Sequence, residues 1–189
     1  VTMTEYERGL PAHVAFTPFN VEWPLARVIS YAGKKQLHTA ETEKYAHVTY
    51  FFGGLQIEEL SGEVDIFIES NKGHEKKPEM KSMEIAHRVS DELDKDLYDF
   101  VVLNLANADI LAHTGNFEAT VRGVEALDSA LGLVVAKVLK KEGIAIVTAD
   151  HGNAESLVYR SSGEAETKHD DSPVPLYLVA SQYQMAKTP

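Results

Sequence analysis

Aspartate and histidine occur together beside three predicted strands of this sequence. Two Asp-His pairs follow apolar runs and one further histidine precedes such a run: Asp109 with His113, Asp150 with His151, and His169. Open α/β sheets bind their ligands at the carboxyl ends of the strands, so the three segments could meet at one edge of a sheet. Because His and carboxylate side chains are metal ligands, this edge is a candidate metal site.

The spacing of the first pair suits a single cation. If their segment is helical, Asp109 and His113 lie one turn apart on the same face. A second Asp-His pair then suggests a second metal nearby, an arrangement that suits phosphoryl chemistry because two cations neutralise phosphate oxygens and activate a hydroxyl nucleophile. Alternatives remain open, since Asp109 could be a helix N-cap, residues 150–151 a turn after a strand, and His169 a solvated residue of an acidic loop.

Lys44 is a further candidate. It lies at the start of a predicted helix, in the segment Glu-Thr-Glu-Lys-Tyr at 41–45. It is either part of the site or a surface lysine that forms ion pairs along the helix.

Alternating strand and helix patterns position these residues. Apolar runs predict strands over 64–68, 100–105, 144–148 and 174–179, and a weaker strand at 35–39. Apolar residues at helical spacing predict helices over 24–32, 43–52, 83–93 and 116–141. Nearly unbroken apolar runs are typical of parallel strands that are buried on both faces. We therefore expect an α/β fold with a mainly parallel sheet flanked by helices.

The composition limits the class of protein and the chemistry of the site. The chain has 189 residues, 18 Lys plus Arg against 29 Asp plus Glu, a net charge of -11, and no Cys. Disulfide scaffolds, zinc ribbons, iron–sulfur clusters and thiol nucleophiles are therefore excluded, and a metal must be bound by His and carboxylate. The acidity argues against nucleic-acid binding, and no apolar run approaches the roughly 20 residues of a membrane span. We expect a soluble cytoplasmic domain without a signal peptide.

Three longer segments resemble the cofactor-independent phosphoglycerate mutases of the alkaline phosphatase superfamily. They are AETEKYAHVT at 40–49, NLANADILAHTGN at 104–116 and TADHGNAE at 148–155, with shorter matches at 77–80 and 173–175. The resemblance implies an alkaline phosphatase-like fold and the interconversion of 3-phosphoglycerate and 2-phosphoglycerate through a phosphoserine intermediate. It also implies two divalent metal ions, Mn with Mg, Co or Zn as alternatives, and no 2,3-bisphosphoglycerate.

The resemblance further implies a role for each candidate residue. Asp109, His113 and His169 would bind one metal, and Asp150 and His151 would bind the other. Lys44 would help to activate the nucleophile and hold the phosphoryl group. A glycolytic enzyme of this family is expected to be cytoplasmic and monomeric at full length, with a small phosphoglycerate as its partner and no nucleic acid or membrane.

Parts of the family pattern are absent from these 189 residues. In the family a strand-end Asp, the nucleophilic Ser and an inserted transferase domain with substrate-binding arginines precede this region. We therefore expect residues 1–18 to be the tail of the transferase domain and its hinge, and 19–189 to be the C-terminal part of the phosphatase domain. The isolated chain is expected to be inactive. The family's Asn before the Gly pair is also missing after Phe52, and His169 is followed by Asp-Asp-Ser rather than by Thr and Asn.

Two other functions remain open. One is a related metal-dependent phosphatase or phosphopentomutase that shares the metal scaffold, against which the segment Glu-Thr-Glu-Lys-Tyr argues. The other is a non-catalytic metal-binding fragment.

Overall fold

A computed structural model describes residues 1–5, 9–17, 21–56, 59–158, 163 and 165–182. Strands and helices alternate along these residues. In chain order they are α1 Leu25–Tyr31, β1 Gln36–Glu41, β2 Glu63–Ile68, α2 Ser82–Leu93, β3 Phe100–Leu103, α3 Asn107–Ala112, α4 Phe117–Lys140, β4 Ala145–Thr148 and β5 Leu176–Val179. Short 3-10 helices cover Thr42–Lys44 and His74–Lys76, and a π-helical turn covers His47–Phe51.

β1 is the central strand of a three-stranded parallel sheet with the order β2-β1-β3. His38 of β1 pairs with Asp65 of β2 on one side and with Val102 of β3 on the other. Helices connect these parallel strands, as crossover connections between parallel strands require. The prediction of an α/β fold with a parallel sheet and flanking helices is confirmed.

The main core lies between this sheet and the helices α2 and α4. Its buried residues are Ile68, Ile85, Ala86, Val89, Ala130 and Val134. Val101 and Leu103 of β3 pack against the same cluster. Each fully buried Val or Ile side chain contributes roughly 1.5–3 kcal/mol, so this layer supplies much of the stability of the domain.

The opposite face of the sheet is covered by α1 and by the turn after β1. Ala26 of α1 is fully buried, and its carbonyl accepts a hydrogen bond of 2.8 Å from Gln36 Nε2. The ring of Phe52 lies against His38 with the centroids 5.3 Å apart, and stacks on Phe100. This face therefore combines polar and aromatic side chains, unlike the apolar face below α2.

The predicted helix over 43–52 takes a different form. It consists of the 3-10 helix Thr42–Lys44 followed, after a short connection, by the π-helical turn His47–Phe51. The hydroxyl of Thr49 donates a hydrogen bond of 2.8 Å to the carbonyl of Tyr45, four residues earlier. A side chain that occupies this carbonyl competes with the backbone donor of a regular α-helix, so the turn widens.

The last two strands also differ from the prediction in their pairing. β4 and β5 are antiparallel and form a separate two-stranded sheet. Their unbroken apolar runs predict burial on both faces, yet Ile146 is 66% exposed and Leu176 is 73% exposed. The described part of the chain leaves these side chains uncovered.

α4 is the longest helix, with 24 residues, and agrees closely with the prediction over 116–141. The Asn116 side chain caps its N-terminus by accepting a hydrogen bond of 3.0 Å from the backbone N–H of Ala119. Among the described residues, no helix has both the length and the apolar character needed to cross a membrane.

Candidate metal centre at the ends of the strands

Lys44 and Asp109 approach each other from the carboxyl ends of two neighbouring strands. β1 leads directly into the 3-10 helix that ends at Lys44, and β3 is followed by α3, whose first turn contains Asp109. Because β1 and β3 are parallel neighbours, both segments leave the sheet at the same edge. The Lys44 ammonium lies 2.7 Å from Asp109 Oδ2, and Lys44 is only 5% exposed.

Three predicted ligands of the first metal lie together. Asp109 Oδ1 is 3.1 Å from His113 Nε2 and 3.2 Å from His169 Nε2, and the two Nε2 atoms are 2.9 Å apart. A divalent ion with ligands at about 2.0–2.2 Å needs ligand atoms separated by roughly 3.0–3.4 Å. The spacing of the three atoms therefore suits one ion.

Local structure explains how His113 reaches this position. Its backbone N–H donates a hydrogen bond of 3.1 Å to the carbonyl of Asp109, one helical turn earlier, so both side chains lie on the same face of the helix. The His113 Nδ1–H donates to the carbonyl of Thr167 at 2.6 Å. This second hydrogen bond leaves the lone pair of Nε2 free to bind a metal, as is usual for metal-ligating histidines.

The loop that carries Thr167 and His169 lies close to the end of α3. Gly115 follows that helix with a φ of +70°, and a Cβ at this position would lie 2.9 Å from the Cβ of Ala165. A larger residue would therefore push the loop away. Gly115 allows the close approach that brings His169 to Asp109.

The second Asp-His pair follows β4 and borders the first cluster. The ring of His151 stacks on His169 with the centroids 3.6 Å apart, and His151 Nε2 lies 3.3 Å from Asp150 Oδ2. His151 Nδ1 is buried and has no hydrogen-bond partner in the described residues, which is the condition of a nitrogen able to bind a metal. Among the described contacts, Asp150 reaches His151 but not Asp109.

Two side chains near the cluster are not among the predicted site residues. Asn153 is 3% exposed, and its Nδ2 donates a hydrogen bond of 2.8 Å to Asp109 Oδ1. His47 lies on the π-helical turn, and burial together with the Lys44 charge lowers its pKa below the usual value, against the opposing charges of Asp150 and Asp109. Both residues lie in segments that carry the family resemblance, which is the signal that could have identified them.

The electrostatics of the cluster keep Asp109 ionised. Burial alone raises the pKa of this carboxyl, but hydrogen bonds from Lys44 and Asn153, with the charges of Lys44 and His113, outweigh burial and lower the pKa to about 2. A metal ligand must be deprotonated, so Asp109 is ready to bind a cation throughout the physiological pH range.

Comparisons with known proteins agree with this chemistry. Residues 16–188 match the metalloenzyme superfamily. The chain is 46% identical over 181 residues to the 2,3-bisphosphoglycerate-independent phosphoglycerate mutase of Chloroflexus aurantiacus, covering 95% of this chain and 34% of that protein. The protein of the same name from Clostridium botulinum is 45% identical over 184 residues, and the match covers 96% of this chain and 36% of that protein.

A solved structure is also similar. Leishmania mexicana phosphoglycerate mutase, crystallised at low cobalt concentration, superimposes with a TM-score of 0.87 and 29% identity. The match covers 97% of this chain and 36% of the Leishmania protein. The chain thus spans about a third of the length of the relatives that it matches.

Proposed function

Because the chain belongs to the metalloenzyme superfamily, we propose that it forms the metal-binding part of a phosphoglycerate mutase. The reaction would interconvert 3-phosphoglycerate and 2-phosphoglycerate through a phosphoserine intermediate, without 2,3-bisphosphoglycerate. The observation that carries the proposal is the cluster of Asp109, His113 and His169, with Lys44 on the second oxygen of Asp109. Relatives at 42–46% identity that carry this name support it.

We assign Asp109, His113 and His169 to one divalent ion, and Asp150 and His151 to a second. All donors are nitrogen or oxygen, a set that fits Mn²⁺ and also accepts Mg²⁺, Co²⁺ or Zn²⁺. Such ions, when bound, lower the pKa of a hydroxyl nucleophile and stabilise charge on the phosphoryl group.

The chain's own residues would prepare this site in three ways. Lys44 would donate a hydrogen bond to the phosphoryl group and help to activate the nucleophile, because its ammonium is a buried point charge. Asn153 would hold the orientation of Asp109 through its hydrogen bond to Oδ1. The Thr167 carbonyl would fix the tautomer of His113.

We propose that residues 1–18 belong to the tail of a transferase domain and its hinge, and that 19–189 form the C-terminal part of a phosphatase domain. The remaining two thirds of the length of the relatives would contribute the nucleophilic Ser and the arginines that bind the substrate. The exposed apolar side chains of β4 and β5 support this, since polypeptide that packs there would bury them. We expect the whole protein to be cytoplasmic and monomeric, without nucleic-acid or membrane partners.

The substrate test separates the possible functions. A longer polypeptide that combines this chain with the parts found in its relatives is expected to convert 3-phosphoglycerate to 2-phosphoglycerate with Mn²⁺, as followed by ³¹P NMR. The isolated 189-residue chain is the control and is expected to show no turnover. Conversion of ribose phosphates alone would instead identify a phosphopentomutase. Metal binding without turnover on either substrate would identify a non-catalytic protein.

The Asp150→Ala variant tests the assignment of the second ion. In the longer polypeptide, we expect this variant to bind one Mn²⁺ ion instead of two, because His151 alone is a weak site. Titration calorimetry measures the number of bound ions. The matched control is Asp128→Ala, which removes an exposed carboxylate of α4. Two bound ions in the Asp150→Ala protein would refute the assignment.

A further inference from the structure

A second group of metal-ligand side chains lies on the face of the parallel sheet covered by α1. His38 of β1 and Asp65 of β2 are paired in register, and Glu63 is two residues before Asp65, so all three project from the same face. His38 Nδ1 lies 3.6 Å from Asp65 Oδ1 and 3.8 Å from Glu63 Oε1. One ligand atom from each residue lies within 4.8 Å of the others.

The hydrogen bonds around His38 define where its lone pair points. Gln36 Nε2 donates to the carbonyl of Ala26, so Gln36 Oε1 faces His38 Nε2 at 3.1 Å. An amide oxygen only accepts hydrogen bonds, and His38 Nε2 must therefore carry the proton. Nδ1 is then the nitrogen with the lone pair, and this nitrogen faces the two carboxylates.

Acceptor atoms thus face one another inside the protein. His38 is fully buried, and within the described residues neither its Nδ1 nor Glu63 Oε2 has a hydrogen-bond partner. Buried polar atoms are almost always paired, so these unpaired acceptors are candidates for binding a ligand. A cation is the ligand that would pair all of them at once.

The protonation states agree with this geometry. Burial lowers the pKa of His38 to about 4, against the opposing effect of the Val48 carbonyl, so the imidazole is neutral near pH 7. Burial and the neighbouring Asp65 raise the pKa of Glu63 to about 7, and burial raises that of Asp65. A cation beside these two carboxyl groups would favour their charged forms.

An ion can reach the cluster from solvent. Glu63 and Asp65 line a cavity of about 800 Å³, together with Tyr45, Thr49 and Gln56. The side chain of Asp65 is 33% exposed and that of Glu63 is 15% exposed. Water in the cavity could complete the coordination of an ion held by the three side chains.

We propose that His38, Glu63 and Asp65 bind one divalent metal ion, Zn²⁺ or an ion of similar preference, at a site separate from the Asp109 cluster. One imidazole nitrogen and two carboxylate oxygens form a borderline donor set of the kind that Zn²⁺ accepts. The side chains lie toward the amino-terminal ends of β1 and β2, whereas Lys44 and Asp109 follow carboxyl ends. The ion would therefore join β1 to β2 and would not contact the substrate.

The experiment first removes proposed ligands of the two ions assigned above, so that binding at His38, Glu63 and Asp65 can be measured alone. In a protein with His113→Ala, His169→Ala and Asp150→Ala, titration with Zn²⁺ is expected to show one bound ion, and Co²⁺ to give the visible absorption bands of nitrogen and oxygen ligands. Adding Asp65→Asn or Glu63→Gln is expected to weaken Zn²⁺ binding by more than about 100-fold, since each removes a ligand charge. Both substitutions preserve the shape of the side chain and remove its charge, so the fold without metal should persist.

The matched control is Glu59→Gln, which removes another carboxylate that lines the same cavity. It should leave Zn²⁺ affinity unchanged, and Zn²⁺ should raise the thermal unfolding midpoint of this control but not of Asp65→Asn. With the Asp109 cluster intact, Asp65→Asn should lower the total number of bound ions by one. Equal Zn²⁺ affinity with and without Asp65→Asn, or an equal loss in Glu59→Gln, would overturn the proposal.

Discussion

Replacing Asp109 by asparagine is expected to lower turnover of the proposed phosphoglycerate mutase by about a thousandfold or more, a loss of roughly 4 kcal/mol of transition-state stabilisation. Asparagine preserves the shape of the side chain but removes its charge. Asp109 Oδ1 lies 3.1 Å from His113 Nε2, and Oδ2 lies 2.7 Å from Lys44 Nζ. The substitution therefore removes the proposed anionic ligand of one ion and the ion-pair partner of a buried lysine. Steady-state kinetics and Mn²⁺ titration measure both effects.

The control for this prediction is Asp91→Asn, which changes an exposed carboxylate of α2. Its turnover should stay within about twofold of that of the parent protein, because exposed substitutions away from a site have small effects. Turnover of Asp109→Asn within tenfold of the parent, at saturating Mn²⁺, would contradict the role assigned to Asp109. A large fall in turnover with unchanged Mn²⁺ affinity would also contradict it, because a ligand must contribute to binding.

The part of the cluster that depends on local spacing could be predicted from the sequence. Asp109 and His113 are four residues apart, and helical periodicity alone places them on one face. The approach of Lys44 to Asp109 depends on β1 and β3 being parallel neighbours, which the sequence pattern does not determine. Asn153 and Thr167 could not be identified in this way, because each acts on a predicted ligand through a contact between distant segments.

Strand pairing was the least predictable part of the fold. The apolar runs of β4 and β5 identify both as strands, but they do not determine direction or partner, and these two strands pair antiparallel with each other. A register is determined by which residues meet across the sheet. For the same reason, the meeting of His38 with Asp65 could not be seen before the register of β1 and β2 was known.

Gly123→Val is expected to lower the free energy of unfolding by about 2–3 kcal/mol through overpacking. Gly123 lies in α4 and faces α3, where a Cβ would collide with Leu111 Cδ1 and lie 3.2 Å from the carbonyl of Pro78. Leu111 is fully buried, so it has little room to move aside. Since α3 also carries Asp109, we expect the displaced helix to weaken Mn²⁺ binding as well. Denaturant unfolding and Mn²⁺ titration measure the two effects.

The same substitution at Gly132 separates packing from helix propensity. Gly132 lies in the same helix, but nothing lies within 4 Å of a Cβ built there. Gly132→Val should therefore change the free energy of unfolding by no more than about 0.5 kcal/mol, because exposed substitutions away from special features have small effects. Equal stabilities for the two variants would show that α3 and α4 are not tightly packed at Gly123. The position of Asp109 would then have to depend on Lys44 and Asn153 rather than on the packing of its helix.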